Sequence, residues 1–160
     1  MQKQIKILLT LITVLILAVS CAKNNPNDPT ITDNANFSKL QKTWQDTAYN
    51  TSQYVITDSK FDSLYNNSTS YSFDIKYISW TSDTAGIIYG QYTANSYSPE
   101  VVGKYYAVSF KDLTDTTVKI SGAYKYGGVS ATDTLEEAKT TFTEVDGYFG
   151  VYSDCTAVAQ

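Results

Sequence analysis

Two cysteines, Cys21 and Cys155, are the most reactive side chains of this 160-residue sequence, which contains no His. All 12 basic residues are Lys, and the formal net charge is −4. Histidine is the usual general base near neutral pH and a common metal ligand, so its absence argues against Ser-His-Asp catalysis, Cys-His catalysis and zinc sites. Without Arg and with a net negative charge, the chain is not expected to bind nucleic acid.

Cys21 directly follows an apolar segment that predicts export. Lys3 and Lys6 precede the apolar residues 7–19, and the small Ser20 follows them. This apolar segment is shorter than the roughly 20 residues that a membrane-spanning helix needs, and it fits a signal peptide. An ordinary signal peptide followed by an unrelated cysteine is the alternative interpretation.

Residues 17–21 (LAVSC) resemble the bacterial lipobox, in its looser spirochaete form, because Ala18 stands where Leu is common. The resemblance implies that residues 1–20 are removed and that the Cys21 thiol carries a lipid. It also implies a membrane as partner, and Ala22 after the cysteine favours the outer membrane, at its periplasmic or surface face. Cys155 then has no intramolecular partner and is expected to be a small buried residue.

Residues 21–36 are rich in Asn, Asp and Pro and predict a flexible tether rather than part of a core. They lack the spacing of an EF-hand calcium loop. From residue 37 to residue 160 the chain is rich in Tyr, Thr, Val and Ile, which indicates one antiparallel β-domain, expected to be monomeric.

The clearest strand covers residues 71–80, in which Phe73 and Tyr77 share one face with the other odd-numbered positions. A second strong strand, residues 104–111, places Tyr106 and Phe110 on its inner face. Further strands are predicted at residues 87–93, 116–124 and 148–152, the last with Phe149 and Val151 inward.

The connection between Phe110 and Val118 is predicted from parity. If both residues, and likewise Val108 and Ile120, face the core as pairs, the loop between the strands must have an odd length, three or five residues. Gly122 is expected on the same inner face.

One helix is predicted at residues 133–142, capped by Asp133 or Thr132 and packed on the β-domain. Glu136 and Glu137 lie in its first turn, where the helix dipole favours acids. Adjacent helical residues face apart, so this pair is not expected to work as general acid and base.

Several features follow one another along the chain, namely an early Trp in residues 40–44 (LQKTW), the hairpin sequence of residues 110–121 (FKDLTDTTVKIS), one helix and a closing strand. This order of features resembles a lipocalin-like or calycin-like barrel on a lipoprotein anchor. Residues 123–154 are similar to the C-terminal part of small spirochaete lipoproteins. The resemblance implies a small barrel or half-barrel that binds one hydrophobic or amphiphilic ligand. Its expected lining is Phe73, Tyr77, Tyr106 and Phe110.

A second hypothesis is a surface interaction protein that binds a host or envelope macromolecule through exposed tyrosines, with candidates at Tyr97, Tyr105, Tyr124 and Tyr126. An enzyme is the least favoured alternative, and no catalytic residue, cofactor or metal is expected. Whether the interior of the barrel is empty or filled with side chains distinguishes the first two hypotheses. A buried cavity would favour the small ligand, and a filled core with exposed aromatic residues would favour the macromolecule.

The lipidation hypothesis predicts that Cys21→Ala abolishes incorporation of labelled palmitate into the protein and leaves an unprocessed precursor. Cys155→Ala is the matched control and should label like the wild type. Palmitate labelling that survives Cys21→Ala would contradict the hypothesis.

Overall fold

Eight antiparallel strands form a closed barrel in the computed structural model, which describes residues 34–159. The strands are β1 (Thr43–Asp46), β2 (Ser52–Ile56), β3 (Lys60–Tyr65), β4 (Ser68–Ser82), β5 (Ala85–Asn95), β6 (Tyr105–Lys111), β7 (Thr117–Gly122) and β8 (Ser153–Ala157). A one-turn helix α1 (Phe37–Leu40) precedes β1, and α2 (Leu135–Thr141) lies between β7 and β8. The predicted class, a mainly β lipocalin-like small barrel with one short helix near residues 133–142, is confirmed.

The predicted signal peptide, Cys21 and most of the predicted tether lie outside the described residues. No helix within residues 34–159 has the length and apolar composition needed to cross a membrane.

The last strand is a correction to the sequence prediction. Residues 148–152 form no strand, and the barrel is closed by the more polar β8, which pairs with both β7 and β1. Of the two residues expected to face inward, Phe149 is buried, but Val151 is 87% exposed. The aromatic residues of this segment cover the outside of the barrel, and this burial produces the strand-like pattern.

The connection between β6 and β7 has the odd length that parity predicts, namely the five residues 112–116. Both inner faces are preserved, but the register differs from the predicted one by two residues. Phe110 pairs with Ile120 and Val108 pairs with Gly122, where Val118 and Ile120 were the expected partners.

Helix α2 is capped by Thr134 and not by Asp133 or Thr132. The Thr134 hydroxyl accepts from the N–H of Glu137, and the Glu137 carboxylate accepts from the N–H of Thr134, which completes a capping box. The helix packs on the outer face of β5 and β6 as predicted, with Ala138 and the following Phe142 buried.

Residues 123–152 cover the outer face of β5 and β6, so these two strands are buried on both sides. The Tyr89 hydroxyl donates to the Phe142 carbonyl at 3.2 Å. The buried Ser109 hydroxyl lies 2.9 Å from the Tyr152 hydroxyl. Strands that are buried on both faces read as near-continuous apolar runs, which is why residues 87–93 carry apolar side chains at successive positions.

The two ends of the barrel are formed by different segments of the chain. At the near end the chain enters through α1, where the Trp44 indole donates to the Leu40 carbonyl at 2.9 Å and Lys42 donates to the Asp115 carbonyl. Because the strands run up and down, the loops at residues 57–59, 83–84 and 112–116 share this end. The loops at residues 47–51, 66–67 and 96–104 lie at the opposite, far end.

Inside the barrel, glycines of one strand face aromatic rings of its neighbours. A Cβ added at Gly90 would lie 2.5 Å from the Asp74 carbonyl oxygen and closer still to the Phe73 ring, and one at Gly86 would lie 2.9 Å from the Phe110 ring. A Cβ at Gly122 would lie 2.6 Å from the Tyr106 hydroxyl. The missing side chains leave the room that the rings occupy.

Gly90→Ala is therefore expected to destabilise the domain by about 1–3 kcal/mol, the usual cost of overpacking a filled core. Gly150→Ala is the matched control, because a Cβ there meets nothing within 4 Å, and its free energy of unfolding should stay within about 0.5 kcal/mol of the wild type. Urea unfolding of the chain without residues 1–20 measures both. Equal stability of the two variants would show that the interior has spare room.

Candidate functional site

The interior of the barrel is filled by aromatic rings in mutual contact. The Phe61 and Phe73 rings stack with centroids 4.8 Å apart and planes 1° from parallel. Tyr71 stacks on Phe61 from one side at 6.1 Å, and Tyr92 and Tyr106 stack on each other at 4.9 Å. Such contacts contribute about 0.5–1.5 kcal/mol each beyond the burial of their area.

The structure separates the four predicted ligand-contacting residues. Phe73 and Tyr106 lie together in the interior, with ring centroids 6.3 Å apart. Phe110 lies closer to the near end, where its ring occupies the space beside Gly86 and packs edge-on against Trp80 at 4.9 Å.

The expectation that Tyr77 shares the inner face with Phe73 is wrong. The register of β4 against β5 shifts between Ile75 and Tyr77, which places Lys76 in a bulge and inverts the alternation after it. Tyr77 lies outside the barrel, where its ring contacts Tyr89 at 6.2 Å and the Lys139 ammonium of α2 at 4.3 Å.

The interior tyrosines are neutral groups held in an apolar environment. Burial, followed by the proximity of other tyrosines, raises the pKa of Tyr71 and Tyr106 well above the usual value. Burial also raises the pKa of Tyr92, and it raises the pKa of Tyr89 on the outer face to about 12. None of these hydroxyls is activated as an acid or nucleophile near neutral pH.

Cys155 is buried between β1 and β7, as the sequence predicts. Burial, followed by the charges of Asp46 and Asp154, raises the pKa of its thiol to about 12. Because the thiolate is the reactive form, this cysteine is chemically inert at physiological pH.

The two acidic residues in the first turn of α2 have structural partners. Glu137 serves the capping box of α2, and Glu136 pairs with Lys139 at 3.2 Å. No three His, Cys, Asp or Glu side chains within residues 34–159 are placed to hold a metal ion.

The far end of the barrel exposes three tyrosines from three successive hairpins. The exposed fractions are 67% for Tyr49, 51% for Tyr65 and 77% for Tyr97. We call the surface formed by residues 47–53, 64–71 and 92–99 the tyrosine rim. Its exposed side chains lie over the side chains of Tyr71 and Tyr92, which belong to the same strand ends but point into the barrel.

Hydrogen bonds within and between the hairpins fix the backbone of the tyrosine rim. The buried Asp46 carboxylate accepts from the N–H groups of Ala48 and Tyr49 at 2.8 and 3.0 Å. The N–H of Asn66 donates to the Thr51 carbonyl at 2.8 Å, and the N–H of Ser96 donates to the Ser70 carbonyl at 2.8 Å. The three hairpins therefore form one connected surface.

The rim contains no charged residue, although 18% of the residues of the chain are charged. Every loop of the near end, in contrast, carries an aspartate; they are Asp58, Asp83, Asp112 and Asp115. Charges meet the rim at its border, where the buried Asp46, the exposed Glu100 and Asp154, and the partly exposed Lys104 lie. The two ends thus have different chemical characters.

Of the four predicted surface tyrosines, Tyr97, Tyr124 and Tyr126 are exposed. Tyr105 is half-buried and its backbone pairs with that of Thr132. Tyr124 borders a small hollow of about 120 Å³ beside Tyr148 and Val151.

Sequence reasoning missed Tyr49 and Tyr65. The sequence does contain a signal for exposed turns at these positions. Each of the two tyrosines is followed directly by an Asn, a residue that is common in turns. Asn66 and Asn67 have φ of 51° and 60° and form the two-residue turn between β3 and β4.

Comparisons with known protein families, with curated proteins and with solved structures found no significant match to this chain.

The buried tyrosines predict a pH limit on stability. Their folded pKa values lie above the ordinary value of 10.0, so their neutral form stabilises the fold fully below about pH 10 and this contribution is lost as the pH rises further. An alkaline titration that follows tyrosinate absorbance should show the buried tyrosines ionising only together with loss of the circular dichroism of the fold. Ionisation of all 14 tyrosines in one step with the fold intact would contradict the expected burial.

Proposed function

We propose that the protein is a lipid-anchored, non-catalytic interaction domain that binds an envelope or host macromolecule through the tyrosine rim. The anchor is Cys21 in the outer membrane, and the residues after it connect the lipid to the near end of the barrel, where α1 begins. The position of the rim at the end opposite to this entry point is the observation that carries the proposal.

The filling of the barrel supports a macromolecular partner over a small hydrophobic ligand. The positions where a lipocalin-like domain would hold its ligand are occupied by the stacked rings of Phe61 and Phe73 and by the ring of Tyr106 edge-on to Phe73, all of which are buried. A ligand of lipid size would have to displace them. The exposed aromatic residues, in contrast, need no rearrangement to make a contact.

The composition of the rim supports the same proposal. Tyrosine offers a large rigid contact area at low entropic cost, and Ser and Asn offer adaptable hydrogen bonds, the combination that antibody binding loops use. The hydrogen bonds that fix the hairpins reduce the ordering cost of binding further.

Site-specific photo-crosslinking in intact cells of the source organism tests the proposal. A photo-reactive phenylalanine at Tyr97 should crosslink to a macromolecule, whereas the same group at Asp83, in a near-end loop, should give at most a weak product. Equal crosslinking from the two positions, or none from Tyr97, would contradict a partner bound at the far end. A stoichiometric small molecule in native mass spectrometry of the purified protein would instead favour ligand transport.

A further inference from the structure

We infer that the partner of the tyrosine rim is an uncharged glycan chain. The inference rests on the proposed function, since it names the chemistry of the partner that the rim would bind. It is argued from the three kinds of group that the rim presents and from the groups that it lacks.

The exposed rings of Tyr49, Tyr65 and Tyr97 provide flat apolar surfaces that end in a hydroxyl. A pyranose ring has a matching character, with a face of C–H groups and a perimeter of hydroxyls. An aromatic ring can pack against the C–H face while its hydroxyl bonds to the sugar perimeter. Three such rings on three connected hairpins suit a chain of repeating sugar units better than a single small molecule.

Apart from the small Ala48 and Pro99, the other exposed side chains of the rim are amides and hydroxyls; they include Asn50, Asn66, Asn67, Ser68 and Thr69. An amide and a hydroxyl each both donate and accept hydrogen bonds, as sugar hydroxyls do. Side chains with this dual capacity can satisfy the hydroxyls of a sugar, each of which is both donor and acceptor, and can donate to its ring and glycosidic oxygens, which only accept.

The lack of charge in the rim favours this partner over an acidic glycan or a charged protein surface. An anionic polysaccharide would find no Lys in residues 47–53, 64–71 or 92–99, and Lys104 at the border already pairs with Asp133 at 2.8 Å. Glu100 at the border would repel it. A protein that binds through an apolar anchor would meet no exposed aliphatic side chain larger than Ala or Pro there, because the large exposed hydrophobic residues of the rim are the three tyrosines. Charge complementarity therefore points to a neutral, hydroxyl-rich surface.

The test uses the full chain in detergent and an immobilised set of neutral oligosaccharides built from glucose, galactose, mannose and N-acetylglucosamine, with heparin as an acidic probe. We expect binding to at least one neutral chain, little dependence on salt, and no binding to heparin. Tyr49→Ala with Tyr97→Ala should weaken it about tenfold or more, whereas Tyr124→Ala with Tyr126→Ala, equally exposed tyrosines outside the rim, should leave it unchanged. Near-native circular dichroism of both double variants excludes misfolding.

A second arm separates this inference from the proposed function. Cell-envelope and host-surface preparations are captured by the same three forms, the wild type and the two double variants, after treatment with periodate, which cleaves sugar diols, or with protease. Capture that depends on the rim and is lost with periodate supports the glycan. Rim-dependent capture that is lost only with protease overturns the glycan and leaves the interaction function standing. If neither arm shows binding that depends on Tyr49 and Tyr97, the proposed function itself fails.

Discussion

The close packing of aromatic rings against glycines inside the barrel is the constraint on which the rest of the structure depends. Gly90 faces Phe73, Gly86 faces Phe110 and Gly122 faces Tyr106. Each pair joins a ring to a neighbouring strand from which a side chain is missing, so the rings fill an eight-stranded barrel without a disulfide or a metal among the described residues. The filled interior in turn leaves binding to the outer surfaces and the loops.

The division of the barrel into two unlike ends follows from where the polar and charged residues stand in the hairpins. Aspartates occupy each near-end loop, and α1 with Leu113 covers the apolar interior there. At the far end, the interior changes from Phe and Ile to Tyr and continues outward into Asn, Ser and Thr. The arrangement gives a domain that is apolar at its centre, charged where the chain enters and uncharged over the tyrosine rim at the opposite end.

The sequence predicted the features that depend on local alternation. The strands of residues 71–80, 87–93, 104–111 and 116–124 and the helix near residues 133–142 were all found, because each has a clear period or cap. The phase inversion at Lys76 could not be predicted, since a bulge changes the face of Tyr77 without changing the composition around it.

The closing strand β8 and the short strands β1 to β3 were not predicted, because they lack a clear alternation of apolar and polar residues. β8 is mostly polar and buries only Cys155 deeply, and its partners β1 and β7 lie far away in sequence. Of the candidate site, the exposure of Tyr97 could be predicted, whereas its grouping with Tyr49 and Tyr65 depends on hairpin topology.

Closure by the C-terminal strand also determines when folding can finish. β8 joins β1 through Trp44 and Ala157, so the first and last strands must meet before the barrel is complete. Contacts so distant along the chain slow folding, because a long loop must be ordered before they form. While the chain is being made, β1 and β7 keep unpaired edges and the barrel stays open. The barrel can therefore close only after residues 153–157 have reached both β1 and β7.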